Sequence, residues 1–143
     1  MTAKTLETTA ELKQLLTETK AIAVVGLSEK PERDSHSISA YLQAHGYKIV
    51  GVNPTAKSIL GEPCYPSLSL IPEDVRRTIR FVAIFRRAED APAIIDEAAK
   101  LGFRTVWLPP GSSSQAALDA AEKQGSSVVA EKCLRVVHSA VLR

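Results

Sequence analysis

The eight residues Ala21-Ile22-Ala23-Val24-Val25-Gly26-Leu27-Ser28 constrain this chain more than any others. Apolar residues in unbroken succession lack the alternation of a half-solvated strand. They read as a strand buried on both faces, a property of parallel sheets covered by helices. The run breaks at Gly26, passes through the polar loop Glu29-Lys30-Pro31-Glu32-Arg33-Asp34-Ser35-His36 and opens an amphipathic pattern. A strand, a loop of that size and a helix start aim backbone N–H groups and the positive end of a helix dipole at one point, where an anion is favoured. A nucleotide-like ligand is the first functional expectation.

The rest of the chain repeats the theme. Thr8-Thr9-Ala10-Glu11 reads as a capping box ahead of Leu12, Leu15 and Leu16, which share one helical face. Ile38, Tyr41, Leu42 and His45 recur with helical spacing until Gly46, and residues 47–52 form a second strand ended by Asn53-Pro54. Residues 54–72 hold Pro54, Pro63, Pro66 and Pro72 with Gly61, and are expected to wrap the sheet edge as an ordered excursion. Residues 78–85 make a third strand. Ile94, Ile95, Ala98 and Leu101 stripe the next helix, with Pro92 in its first turn and Gly102 at its end. Residues 104–108 make a fourth strand broken by Pro109-Pro110-Gly111; Ser112 is expected to cap a helix over 113–124 that buries Ala117, Ala120 and Ala121. Residues 127–130 make a fifth strand before a last helix from about Leu134. Strands alternating with helices predict an α/β fold: a doubly wound, mostly parallel five-stranded sheet with helices on both faces. It is expected to form one domain over 1–143, residues 1–19 supplying a leading helix docked on the sheet.

Composition narrows the function. At 143 residues and 45% hydrophobic content, the chain needs no staple to hold a core. Eighteen basic against sixteen acidic residues give +2, which argues against a nucleic-acid binder working through general electrostatics. The apolar runs are of strand length and residues 1–20 are polar, so neither a membrane span nor a signal peptide is expected, and the location expected is cytoplasmic. Cys64 and Cys133 form no metal-ligand cluster and are not expected to pair.

In this architecture ligands sit beyond the carboxyl ends of the strands. The fingerprint G-x-G-x-x-G is absent, since Gly26 is followed by Leu27-Ser28, and Asn53-Pro54 stands where a dinucleotide enzyme usually places an acid. Ser28, Lys30, Arg33, Ser35 and His36, with Arg86 and Arg87 from the third strand, suit a more highly charged ligand than NAD. The alternative is that Lys30 and Arg33 balance Glu29, Glu32 and Asp34, while Arg87 pairs with Glu89 or Asp90 and Arg86 pairs with Asp90. Cys133 and His138 lie roughly 140° apart around a helix and do not read as a catalytic pair. Cys133, just before a helix, reads as a small buried hydrophobe, the alternative being a thiol acidified by the helix dipole. With no paired carboxylates, nucleophile elbow or phosphate-binding Walker loop, the chain reads as a binding module rather than a complete enzyme.

Residues 21–28 with Lys30-Pro31, Gly46-Tyr47, Val52-Asn53-Pro54, Gly61-Glu62-Pro63-Cys64-Tyr65-Pro66-Ser67-Leu68, Phe85-Arg86, Val106-Trp107-Leu108 and Cys133-Leu134 with His138 follow the order and spacing of a known family. Over about residues 12–140 the chain resembles the small stand-alone CoA-binding proteins, which are similar to the CoA-binding domain of the succinyl-CoA synthetase alpha subunit. The resemblance implies a Rossmann-like fold that binds coenzyme A or an acyl-CoA as a small-molecule partner. Gly26, Leu27 and Ser28 would lie near the phosphates, and Asn53, Pro54, Phe85 and Arg86 would line the nucleotide site. The chain departs from the family at Ala83, where an acid is common, and at Pro109, where Gln is common; Pro109-Pro110-Gly111 would instead wall the pantetheine arm. Two other readings stay open, a small NAD(P)-dependent oxidoreductase and a CoA-responsive regulatory subunit. A protein partner or a homo-oligomer is compatible with either.

Overall fold

A computed structural model describes residues 4–142. Side chains alternate across a strand, and in β1 (Ala21–Val25) both sets are buried. Ala21, Ala23 and Val25 enter one apolar cluster with Ile95 and Ala98 of α4 (Ala91–Lys100) and Ala117 and Ala121 of α5 (Gln115–Gln124). Ile22 and Val24 enter the other, with Leu12, Leu15 and Leu16 of α1 (Thr9–Glu18), Ile38 and Leu42 of α2 (Asp34–Ala44), and Leu134 of α6 (Leu134–Leu142). The unbroken apolar run is thus the signature of a sheet covered on both sides. Its largest buried side chains, Trp107 and Phe81, are fully inside, and burying each contributes about 1.5–3 kcal/mol or more.

The sheet order is β3 (Ser58–Ile59), β4 (Glu62–Tyr65), β2 (Lys48–Val52), β1, β5 (Ile79–Ile84), β6 (Thr105–Leu108), β7 (Ser127–Ala130). β2, β5, β6 and β7 all run parallel to their neighbours, with Ala21 opposite Lys48 and Val25 opposite Val52 at the centre. Seven strands replace the five expected. The proline-rich excursion does lie at the sheet edge, but it adds β4, parallel to β2, and β3, antiparallel to β4. After it come a 3₁₀ turn at Leu68–Leu70 and the short helix α3 (Glu73–Arg76).

At the opposite edge, Lys4, Thr5 and Leu6 cover β7. The Leu6 amide donates to the Val128 carbonyl and the Val128 amide to Lys4, both at 2.8 Å. α1 then opens on the expected capping box: the Glu11 amide donates to Thr8 Oγ1 and the Thr8 amide to Glu11 Oε1, both at 3.1 Å. One local expectation is corrected. Ser114, not Ser112, caps α5, because only Ser114 is placed to accept the Ala117 amide. His45 lies just past the last turn of α2 as its C-cap, with its ring still against Tyr41, 4.2 Å between centroids.

Candidate functional site

β2 lies on one side of β1 and β5 on the other, so the strand order reverses at β1, and a crevice opens beyond the carboxyl ends there. It is a cleft of about 900 Å³. Its first wall is the loop between β1 and α2. Gly26 turns the chain at φ +86°, and a Cβ there would sit 2.3 Å from the Phe85 carbonyl oxygen, so only glycine lets the two strand ends approach. The Ser28 amide donates to Ser35 Oγ at 3.0 Å and the Lys30 amide to Ser28 Oγ at 3.1 Å. The His36 ring clamps the same turn from below; its Nδ1–H donates to the Ser28 carbonyl at 2.8 Å, which can only accept. The N-cap of α2 is Arg33, and no side chain caps the helix. Its first amides are therefore open to an anion.

The second wall is Phe85-Arg86-Arg87 beyond β5 and Pro109-Pro110-Gly111 beyond β6. Ser112 Oγ donates to the Arg86 carbonyl and ties the two loops together. Arg86 Nη2 lies 3.1 Å from Asp90 Oδ2, and Arg87 Nε lies 3.2 Å from Glu89 and 3.5 Å from Asp90. The ion-pair reading of Arg86 is therefore realised, and the same side chain also lines the cleft. A guanidinium has five donors, and Asp90 takes one of them. Lys30 and Arg33 complete the positive lining, opposed by Glu32 and Asp34.

Of the twelve residues expected at the site, Gly26, Ser28, Lys30, Arg33, Ser35, Phe85, Arg86 and Pro109 line the cleft. The other four do not. Leu27 is buried in the core. His36 braces the Ser28 turn, as above. Asn53 donates to the Leu27 carbonyl at 2.9 Å, while its Oδ1 accepts from the Thr55 and Ala56 amides, both at 2.8 Å. It thus joins the end of β2 to the end of β1 and holds the loop from behind. Pro54, next to it, is exposed.

Compared with known proteins, the chain matches the family model described as a CoA binding domain over residues 20–139. It belongs to that family. It is 35% identical to the protein YneT of Bacillus subtilis (strain 168), covering 91% of this chain and 93% of that one. A protein from Pyrococcus horikoshii OT3 superposes with a TM-score of 0.88 at 34% identity, covering 96% and 94% of the two chains. The ADP-forming acetate–CoA ligase I of Archaeoglobus fulgidus is 26% identical over 85% of this chain, which spans only 19% of that enzyme.

Two further features of this family member concern Cys133 and His138. Cys133 lines the cleft at the start of α6, where Trp107 Nε1–H donates to the Lys132 carbonyl at 2.7 Å and fixes the approach. His138, one turn on, points away: it is buried, and its Nδ1 shares a 2.9 Å hydrogen bond with the Tyr41 hydroxyl, in an aromatic cluster with His45 and Tyr47. The spacing of Tyr41 and His45 on a helix was visible; their meeting with α6, 97 positions from Tyr41 to His138, was not. Cys64 packs against the core, and burial, with the charge of Glu29, pushes its thiol pKa up, which disfavours the thiolate. Among the described residues no group of His, Cys, Asp or Glu is placed to hold a metal ion, and no helix is long and apolar enough to cross a membrane.

Proposed function

We propose that this chain binds coenzyme A, free or acylated, in the cleft beyond β1 and β5. The observation that carries the reading is the convergence of the Ser28 turn, the uncapped start of α2 and Arg86 on one cavity at the reversal of strand order. Coenzyme A joins a phosphorylated nucleotide head, with a pyrophosphate, to a long arm ending in a thiol. The head matches open helix amides and guanidinium donors. The arm matches Pro109, Pro110 and Ile38, which give the cleft an apolar wall. A volume of about 900 Å³ suits a ligand of cofactor size. Membership of the CoA-binding domain family supports the same ligand.

Calorimetry with CoA, dephospho-CoA, NAD and ATP tests it, CoA being expected to bind tightest. Tighter binding of NAD would overturn it in favour of a nicotinamide enzyme. The match to a fifth of an ADP-forming ligase favours one elaboration, in which this module presents CoA to a separate polypeptide that supplies the catalysis. That predicts a stable partner whose association changes when CoA is added, and a CoA-indifferent association would count against it.

A further inference from the structure

A second cavity, of about 420 Å³, lies at the other end of the sheet. It is formed where β5 begins, at Ile79 and Arg80, and where the chain enters β6, at Phe103 and Arg104. β5 separates it from the CoA cleft by roughly six residues of strand, about 20 Å. Four of the chain's nine arginines, Arg76, Arg77, Arg80 and Arg104, line it. Two carboxylates answer them, both loosely. Glu73 lies 3.7 Å from Arg77, and Glu18 lies 3.6 Å from Arg80, whose other amino group reaches Thr105 Oγ1 at 3.5 Å. Among the described residues the Arg76 and Arg104 side chains have no ion pair or hydrogen bond. Buried Ile79 and Phe103 floor the groove.

Four guanidiniums answered by two carboxylates leave a local excess of positive charge around one concavity, which attracts an anion. Neither core packing nor the charge balance of the chain, +2 overall, requires them to meet. Arginine forks match phosphate oxygens bidentately, and the volume is that of a small-molecule site. We propose that this groove binds a compact, multiply charged phosphate compound at a second site, independent of the CoA cleft.

Inorganic pyrophosphate is the probe, titrated by calorimetry and by NMR into the wild type, Arg86→Ala and the double variant Arg76→Ala/Arg104→Ala. The proposal expects pyrophosphate to perturb amides near Arg104, in wild type and in Arg86→Ala alike. In the double variant the affinity for that site should fall at least tenfold while CoA affinity stays within twofold. Arg76→Lys/Arg104→Lys should recover only part of the loss, and it replaces the alanine variant should that one melt early. Absence of pyrophosphate binding at the groove, or binding that Arg86→Ala abolishes and the double variant leaves intact, overturns the proposal. So does capture of an acidic peptide or a single-stranded oligonucleotide by the groove in preference to pyrophosphate, which would make it a macromolecular contact. Pyrophosphate binding at Arg104 is read without CoA, so it stands or falls separately from the function proposed above.

Discussion

Arg86 lines the cleft while its guanidinium pairs with Asp90. Its pair with Asp90 is about half exposed, and such pairs contribute about 0–1 kcal/mol. Arg86→Ala should therefore leave the melting temperature of the ligand-free protein nearly unchanged. Its loss from the cleft should weaken CoA binding by about 1.5–3 kcal/mol, the scale of a charge-assisted hydrogen bond, or roughly 10- to 150-fold. Arg86→Lys should restore part, since a point charge lacks the planar fork. Calorimetry and melting on the same variants check this, and unchanged affinity removes Arg86 from the site. Gly26 is the opposite case, a residue whose role is entirely backbone. Its positive φ and the nearness of Phe85 predict that Gly26→Ala costs about 2–3 kcal/mol of stability, read by denaturant unfolding. The break of the apolar run at Gly26 was visible in the sequence; the neighbour that requires glycine there, Phe85, 59 positions away, was not.

At the scale of elements, α1 couples its cap to the sheet edge. Lys4 pairs with β7 through its backbone and lies 2.7 Å from Glu11 through its side chain. With that ammonium first, and the Thr8 and Glu7 amides after it, the Glu11 pKa is held down to about 2 from the ordinary 4.5. A carboxylate with a depressed folded pKa contributes stability that is present above the unfolded value and is lost as pH falls through the folded one. The stability gap between wild type and Glu11→Gln should therefore be constant above about pH 5, narrow below 4.5 and close near pH 2; a gap that ignores pH would show that Glu11 acts only as a neutral cap. Thr8→Ala should cost about 1 kcal/mol at neutral pH, read by denaturant unfolding. The capping box was legible because it is local. The β3–β4 hairpin was not. Its two-residue turn, Leu60-Gly61, has both residues at positive φ, the geometry that twists a tight hairpin correctly, but Leu replaces the Asn or Asp that would have announced it.

For the molecule as a whole, ligand binding and folding are linked. CoA at a hundred times its dissociation constant should stabilise the native state by about 2.7 kcal/mol, raising the melting temperature by about 10 °C for a chain of this length. Trp107, the single tryptophan and fully buried, reports the transition by fluorescence. No shift with CoA, alongside a shift with NAD, would contradict the proposed ligand. The order of strands and helices, the parallel character of the sheet, the strand-end position of the cleft and most of its lining were written in the sequence, because each rests on a periodicity or a break spanning a few residues. Only the tertiary structure decided that the sheet has seven strands, that Asn53 and His36 brace the cleft from outside, that His138 meets Tyr41, and that four arginines share a groove. These depend on which distant segments become neighbours. That choice is made by burial of both sheet faces together, and no short window of residues contains it.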